Sequence, residues 1–297
     1  MPSSAWPALP LDQWRDTYAT LHLWAQIVGK IALAQAPPVN HSWGVALHLT
    51  SRGLSTVVLP YGDRSFTIEF DFIEHQLVVR TCDGEKRTLP LMPQSVAEFH
   101  RRVMALMRDL SLPAKIWPVT VELPSPIRLD EDLLHQSYDR EAVRRFFQVI
   151  TSVAHVLVRE RAGFVGKASP AHFFWGSFDL AMTRFSGRPA PPRDGPAFMR
   201  DAYSHEVISH GFWPGSAPVL EPALYAYAAP QPDGFSKARV RPDAAYYHSE
   251  LGEFILPYEA VRTSSSPENA ITEFVVSTYE AGATLARWDR SALERAR

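Results

Sequence analysis

Residues 165–176 read Val-Gly-Lys-Ala-Ser-Pro-Ala-His-Phe-Phe-Trp-Gly, and an earlier part of the chain contains the same landmarks in the same order. The earlier copy consists of Val28-Gly29-Lys30 followed by Pro38, His41 and Trp43-Gly44. The two Val-Gly-Lys strings lie about 137 residues apart, a period far longer than that of the common solenoid repeats. These strings therefore predict two copies of one domain within the chain.

Further matches extend the two copies in both directions. Arg52 aligns with Arg184 when each is counted from its Trp-Gly pair. The other matches are Gly84-Glu85 with Gly252-Glu253, Leu89-Pro90 with Leu256-Pro257, Pro93 with Pro267, and Glu98-Phe99 with Glu273-Phe274. The alternative is that any two helix-plus-meander units resemble each other to this extent. A duplication favours a pseudo-two-fold arrangement with a ligand site near the interface of the copies.

Hydrophobic periodicity predicts the same order of elements in both halves. The first half is predicted to form helices at 11–33 and 95–110, with strands at 45–50, 55–59, 66–72, 77–81, 87–91 and 116–123. The second is predicted to form helices at 139–161 and 267–288, with strands at 173–184, 203–209, 223–229, 244–248 and 253–257. Asp83-Gly84 is typical of a tight hairpin turn, so the strands form antiparallel meanders. The predicted fold is α+β, with repeats at 1–123 and 139–297 and a linker at 124–138.

Composition excludes several classes of protein. The 30 Lys and Arg against 32 Asp and Glu leave a net charge of −2, which lacks the basic footprint of a nucleic-acid binder. The single cysteine, Cys82, excludes an intramolecular disulfide and a multi-cysteine zinc site. No run of 18 apolar residues and no signal-peptide pattern occur, so we expect a cytoplasmic protein without a membrane partner.

The densest chemical segment runs from His172 to Arg188. Read as one continuous strand, it places Trp175 and Asp179 on one face and His172 on the other. A buried Asp179 requires a partner, and Arg184 or Arg188 is the nearest cation in sequence. The pair is interpreted either as structural or as part of a site.

A second segment, Tyr203 to Gly215, adds His205 and Glu206. Adjacent residues of a strand face opposite ways, so these two side chains are not expected to reach one ligand. His172 and His205 with Glu206 or Asp179 have the residue types of a two-histidine, one-carboxylate metal site, but not its usual spacing, and the metal stays unknown. Histidine acid–base chemistry with a carboxylate orienting the ring is the other hypothesis, and a histidine buried in the core is the structural alternative.

Aromatic residues cluster around these segments and are candidates for the walls of a pocket, or else for ordinary core packing. Arg52 and Arg184 are candidates for an anion clamp across the repeat axis. No nucleotide-binding, serine-hydrolase, zincin or kinase motif is present. The candidate ligand-binding residues are Arg52, Trp175, Arg184, Trp213, Tyr225 and Tyr227.

Both segments, together with Leu21–Lys30, Phe70–His75 and Gly252–Tyr258, resemble a largely bacterial family called domain of unknown function 5996. The resemblance spans about Trp14 to Trp288. It implies a cytosolic bacterial protein whose halves form one unit. It implies no activity, cofactor or residue role.

The leading hypothesis is a cytosolic enzyme or enzyme-like binder of a small anionic molecule near the repeat interface. The catalytic candidates are His172, Asp179, His205 and Glu206: His205 or His172 acts as the general acid/base, Asp179 or Glu206 orients it, and Arg184 contacts the anion. The alternative is a non-catalytic interaction or ligand-binding protein with a structural Asp–Arg pair. The expected partner is a small-molecule ligand and not a nucleic acid, while the cofactor, substrate and oligomeric state stay unassigned.

Overall fold

The computed structural model describes residues 5–124 and 126–295 and contains one large antiparallel sheet. Its strands are β1 (Leu47–Leu49), β2 (Gly53–Ser55), β3 (Leu59–Tyr61), β4 (Arg64–Asp71), β5 (Gln76–Thr81), β6 (Lys86–Pro90), β7 (His172–Phe174), β8 (Asp179–Pro189), β9 (His205–Trp213), β10 (Ala223–Ala229), β11 (Tyr246–His248) and β12 (Glu253–Pro257). The order across the sheet is β11-β12-β10-β9-β8-β7-β1-β2-β4-β5-β6, with β3 paired to β4.

Seven α-helices accompany the sheet in the described part of the chain. They are α1 (Arg15–Gln35), α2 (Val96–Asp109), α3 (Arg140–Arg161), α4 (Ala197–Ala202), α5 (Tyr258–Arg262), α6 (Pro267–Leu285) and α7 (Arg290–Leu293). The side chains of Ser95, Asp139 and Ser266 accept hydrogen bonds from the first turns of α2, α3 and α6. The mixture of helices and antiparallel strands confirms the α+β prediction.

The centre of the sheet is the antiparallel pairing of β1 with β7. Leu47 pairs with Phe173 and His48 with His172. On one side lie the strands of the first half and on the other those of the second, so a single sheet runs through both halves. Contacts between α1 and α3 add a second junction in the helix layer. The internal duplication and the domain boundaries stay predictions.

The two faces of the sheet differ in what covers them. On one face, which we call the helix face, Leu180, Phe212 and Leu224 belong to the main core shared with α1, α2, α3 and α6. On the other, which we call the loop face, Ala181, Tyr225 and Ile255 form a smaller cluster with partly exposed residues. Val219 and Leu251, from the connections before β10 and β12, pack against that cluster. The loop face is therefore covered less completely than the helix face and is more accessible to solvent.

Three predicted strands are wrong in detail. The segment 55–59 is not one strand, because residues 56–58 separate β2 from β3. The segment 173–184 is not continuous, because a turn at residues 175–178 separates β7 from β8. Phe178 has a φ of 57° in that turn, which lies in the left-handed region and is incompatible with a strand. The segment 116–123 contains no strand, and prolines at 113, 118 and 124 remove the N–H donors that a ladder needs.

No helix in the described residues, 5–124 and 126–295, is both long enough and apolar enough to span a membrane.

Candidate functional site

A buried carboxyl group lies at the start of β8. Asp179 is 8% exposed and accepts hydrogen bonds from the hydroxyls of Ser177 and Tyr225, one on each carboxyl oxygen. The predicted ion pair of Asp179 with Arg184 or Arg188 is wrong. Arg184 lies five residues further along the same strand and points to the helix face, whereas Asp179 shares the loop face with Phe174 and Ala181.

A glycine allows Tyr225 to reach this carboxyl group. Tyr225 on β10 pairs with Gly211 on β9, and Asp179 lies beyond β9 on β8. A Cβ atom on Gly211 would come within 2.3 Å of both the Tyr225 ring and its hydroxyl. The tyrosine therefore crosses the neighbouring strand through the space that the missing side chain leaves.

Burial determines the protonation of this pair. It raises the pKa of Asp179, and the two hydroxyl donors only partly oppose that rise. Burial also raises the pKa of Tyr225, and the adjacent Asp179 charge adds to the effect. The arrangement holds a carboxyl group and a phenol on a common hydrogen bond, where the neutral carboxylic acid is stabilised.

A second carboxyl group, Glu253 on β12, faces the same region. Burial raises the pKa of Glu253 to about 7, with a further contribution from the negative charge of Asp179. Glu253 shares the loop face with Ile255, two residues along β12. Two carboxyl groups with raised pKa values, one of them raised in part by the charge of the other, are characteristic of acid–base sites, because one holds a proton near neutral pH.

A row of hydroxyls crosses the same face of the sheet. The Tyr203 hydroxyl donates to that of Tyr227 at 3.2 Å, and Thr183 bonds Ser209 at 2.9 Å. A further hydrogen bond joins Tyr227 to Ser209. The Tyr225 and Tyr227 rings are stacked, with centroids 6.1 Å apart. The partly exposed Trp213 lies on the same face as these rings.

Helix α1 adds a polar stripe next to the turn at 175–178. His22 Nε2 lies 2.9 Å from the Gly176 carbonyl oxygen, and the Gln26 amide donates to Glu122 at 3.2 Å. Lys30, four residues on, is 8% exposed and lies over the Trp175 ring at 6.0 Å. Burial lowers the pKa of Lys30, and the nearby Glu122 opposes this.

The predicted histidines do not meet. His172 is buried at the β1–β7 junction and faces His48, with ring centroids 4.9 Å apart. The prediction that it faces away from Asp179 is wrong, because the turn at 175–178 lets His172 pair with Ala181 on the loop face. His205, on β9, lies beside Ser204 and 6.0 Å from the His41 ring. Glu206 points to the helix face, where it forms an ion pair with Arg188 at 2.6 Å. The opposite orientation of His205 and Glu206 agrees with the strand periodicity.

Because these groups are separated, the proposed metal set of His172, His205 and Glu206 or Asp179 is not assembled. The described residues, 5–124 and 126–295, contain no group of three or more His, Cys, Asp or Glu side chains with the geometry of a metal site.

The two arginines of the predicted clamp have separate environments. Arg52 bonds Asp71 at 2.6 Å. Arg184 is 4% exposed, packs on the Tyr279 ring at 4.7 Å and donates to the Glu160 carbonyl. Burial lowers the pKa of Arg184 to about 10. These contacts tie Arg52 to β4 and Arg184 to the helix layer, so they do not form one clamp.

The remaining aromatic candidate, Trp175, serves packing. Its indole N–H donates to the Val45 carbonyl at 2.9 Å, and a Cβ on Gly29 would overlap its ring at 2.1 Å. The ring therefore lies directly on the backbone of α1.

Two surface clefts lie elsewhere. One of about 710 Å³ is lined by Asp12–Thr17 and residues 136–139, and another of about 500 Å³ lies along α2. Neither includes Asp179, Glu253 or any other predicted site residue.

Several candidate residues were not identified from the sequence. The signal for the α1 group is the spacing of Tyr18, His22, Gln26 and Lys30, four polar or amphipathic side chains at intervals of four inside an otherwise apolar helix. Glu253 has no such signal, because only the sheet order brings β12 near Asp179.

Comparison with known proteins identifies one family. The model of a family of unknown function, DUF5996, matches residues 6–295. No curated protein and no solved structure shows significant similarity to the chain. The match therefore assigns no role to any residue.

Replacing Gly211 with alanine should displace Tyr225, because the new Cβ overlaps its ring and also the Leu180 carbonyl oxygen, each at 2.3 Å. We expect a loss of about 1–3 kcal/mol in the free energy of unfolding, measured with urea. Gly163→Ala is the control, since its Cβ would meet only the Glu160 carbonyl at 3.8 Å. Equal stability of the two variants would contradict the close approach of Tyr225 to β9.

His172 should make the protein acid-sensitive. Burial, with His48 and Arg161, lowers its pKa from 6.5 to about 4, so the unfolded chain binds the proton more tightly. The stabilisation is present above pH 6.5 and is lost as the pH falls to 4, a change on the order of 3 kcal/mol. In His172→Phe the free energy of unfolding should change less with pH over this window. In the exposed control His155→Asn it should change as much as in the wild type. An unchanged slope in His172→Phe would exclude this residue as the cause.

Proposed function

We propose that this protein, which belongs to the family of unknown function DUF5996, is an enzyme or enzyme-like binder that holds a small molecule on the loop face of its sheet. The observation that carries the proposal is the buried Asp179, bonded to Tyr225 and Ser177 hydroxyls instead of a cation. A structural carboxylate at this depth is normally paired with a cation. Here burial raises the pKa of Asp179, so the carboxyl group can hold a proton.

The chemistry that fits is proton transfer. Glu253, with its pKa near 7, exchanges a proton readily at neutral pH and suits a general acid or base. Asp179 with Tyr225 suits the donation of a strong hydrogen bond to an oxygen that gains negative charge during the reaction. These roles replace the histidine-centred assignment, since His172 and His205 lie outside the cluster.

Binding is supported by the partly exposed side chains around the carboxyl pair. Phe174, Trp213 and Tyr227 flank it on β7, β9 and β10. Flat rings beside a few fixed polar groups are the usual composition of a small-molecule site. We propose a cytoplasmic location, which the exposed free thiol of Cys82 favours.

The alternative function is ligand binding without catalysis. The partial exposure of Trp213 and Tyr227 favours this as much as it favours an enzyme, because an aromatic surface binds without reacting. The proposed Asp–Arg pair is no longer part of this alternative. Conversion of a bound molecule distinguishes the two.

The duplication of the chain is a second proposal, which cross-packing supports. The repeat-equivalent lysines each lie over the tryptophan of the other half: Lys30 over Trp175 at 6.0 Å, and Lys167 over Trp43 at 5.4 Å. Exchange of this kind is expected when two copies pack about a pseudo-two-fold axis. The strand orders, β1-β2-β4-β5-β6 and β7-β8-β9-β10-β12-β11, are sequential for the inner strands and differ at the outer edge. Superposition of residues 12–110 on 140–288 therefore tests the proposal through the Trp-Gly segments and the terminal helices, and failure of these elements to coincide would refute it.

Ligand capture tests the proposed function. The purified chain is incubated with a small-molecule extract of bacterial cells, and the retained molecules are identified by mass spectrometry. We expect a species retained by the wild type, retained at least tenfold less by Tyr225→Phe, and retained equally by the helix-face control Glu206→Gln. An enzyme would also consume that species. We expect the wild type to deplete it about 10²–10⁴-fold faster than Glu253→Gln does.

Retention without depletion supports the binding alternative. If nothing is retained, or Tyr225→Phe retains as much as the wild type, the loop face is not the site.

Glu253 should titrate close to neutral pH. With ¹³C-labelled glutamate, its carboxyl carbon should show a midpoint near pH 7, in accord with its raised pKa. Because the folded pKa lies above the ordinary 4.5, Glu253 stabilises the fold below pH 4.5, and this contribution disappears as the pH rises through 7. The stability of Glu253→Gln should therefore depend less on pH over this interval. A midpoint below 5 would remove the acid–base role.

A further inference from the structure

A separate cluster on the loop face surrounds the ammonium group of Lys167, in the connection between α3 and β7. Its Nζ lies 2.7 Å from His41 Nε2. It also lies over the rings of Trp43 and Phe185, at 5.4 and 4.9 Å. No carboxylate oxygen of the described residues lies within 4 Å of it. Lys167 is therefore a positioned cation without an anion.

The backbone and ring contacts of His41 orient it so that its Nε2 accepts a hydrogen bond from the Lys167 ammonium group. Its backbone has a φ of 58°, a left-handed conformation unusual for a residue with a side chain. The backbone N–H donates to Asp201 Oδ2 at 2.7 Å, and ring Nδ1 lies 3.1 Å from the Asp201 carbonyl. Because a carbonyl only accepts, Nδ1 carries the ring proton, and Nε2 is left as the acceptor for the ammonium.

Hydrogen bonds also determine which ring nitrogen of His205, beside His41, carries the proton. The Ser204 hydroxyl donates to the Asp201 carbonyl at 2.8 Å, so it accepts from His205 Nδ1 at 3.1 Å. His205 Nδ1 then carries a proton, and no hydrogen-bond partner of Nε2 occurs in the described residues. The His205 ring lies 6.0 Å from His41 at an angle of 78°. Lys167 and His205 thus flank one imidazole.

Aromatic rings help to fix the position of the cation. Trp43 and Phe185 cover part of the ammonium group, while Lys167 as a residue is exposed, so its charge is open to a ligand from solvent. Two of the three ammonium protons remain available after the bond to His41. His41 and Trp43 belong to the first half of the chain and the other groups to the second, so the cluster forms only when the halves are joined.

From this arrangement we propose that Lys167 and His205, supported by His41, Trp43 and Phe185, form a binding site for the oxyanion group of a small ligand. The ammonium group of Lys167 is the donor, and His205 adds a second donor, at Nε2, when its ring carries both protons. Phosphate and carboxylate groups accept from both kinds of donor. The site lies further along β8 than Asp179. Phe185 is six positions along the strand from Asp179, a distance of about 20 Å. It deepens the proposed function by locating the ligand's anionic end, and it rests on that proposal for the link between the two clusters.

Anion titration of the full chain tests the site. Inorganic phosphate and, separately, acetate are added to ¹⁵N-labelled protein, and amide shifts are followed by NMR at constant ionic strength. We expect saturable shifts at residues 41–43, 167 and 205, with millimolar affinity for at least one of the two anions. Lys167→Gln should weaken that binding at least tenfold, and Lys167→Arg should retain most of it. Exposed Lys86→Gln, on the far edge strand, is the matched control.

The outcomes separate the two proposals. Anion binding that survives in Asp179→Asn but not in Lys167→Gln supports the oxyanion site, whatever ligand capture shows. Saturation by phosphate alone identifies a phosphate site, and saturation by acetate alone a carboxylate site. If wild-type shifts are absent or linear for both anions, or Lys167→Gln binds as the wild type does, the site is refuted, and Lys167 then only joins the halves through Trp43.

Discussion

The pairing of β1 with β7 is the contact on which the rest of the structure depends. Three residues on each side place Leu47 against Phe173 and His48 against His172. This short ladder turns two meanders into one sheet, and one sheet has one helix face and one loop face. Without it, Trp43 and His41 would not reach Lys167, and Lys30 would not lie over Trp175. The candidate sites therefore follow from the joining of the halves.

Buried polar groups have different surroundings on the helix face and on the loop face. On the helix face, His210 bonds Thr278 of α6 at 3.0 Å, and Arg184 is covered by Tyr279, so both are enclosed by secondary structure. On the loop face, Asp179, Tyr225 and Tyr227 bond one another or neighbouring hydroxyls under a cover of connecting segments. Removing a polar group from water is unfavourable unless its bonds are replaced. The loop face leaves such groups next to the partly exposed rings of Trp213 and Tyr227.

The loop face also separates charge along its strands. Its Asp179 end carries a carboxyl group with a raised pKa, and its Phe185 end carries Lys167 with the neutral His41, whose pKa is lowered by burial and then by Lys167. Glu253, whose pKa is also raised, lies between these ends, in the row of Tyr227. A ligand with an anionic group at one end and an oxygen that exchanges a proton at the other matches this distribution. The hydroxyls of Thr183, Ser209 and Tyr227 lie between the two ends.

The sequence by itself determined the secondary structure and part of the site. Period-two and period-3.6 patterns located most strands and helices, and the strand 223–229 has the predicted bounds, because burial of one face imposes those periods locally. The same periodicity correctly separated His205 from Glu206. Asp179, Tyr225 and Tyr227 were each named as candidates from the sequence, but in different roles and not as one cluster.

Only the tertiary structure decided which side chains meet. Asp179 was matched with Arg184 because they are close in sequence, whereas the turn at 175–178 and the sheet order bring it to Tyr225, 46 residues away. Glu253, His41 and Lys167 carried no local signal, since their surroundings come from strands and turns distant along the chain. Local patterns record whether a residue faces a core. They do not record its partner, which depends on strand order, on a glycine such as Gly211 that lets a ring cross a strand, and on the joining of β1 to β7.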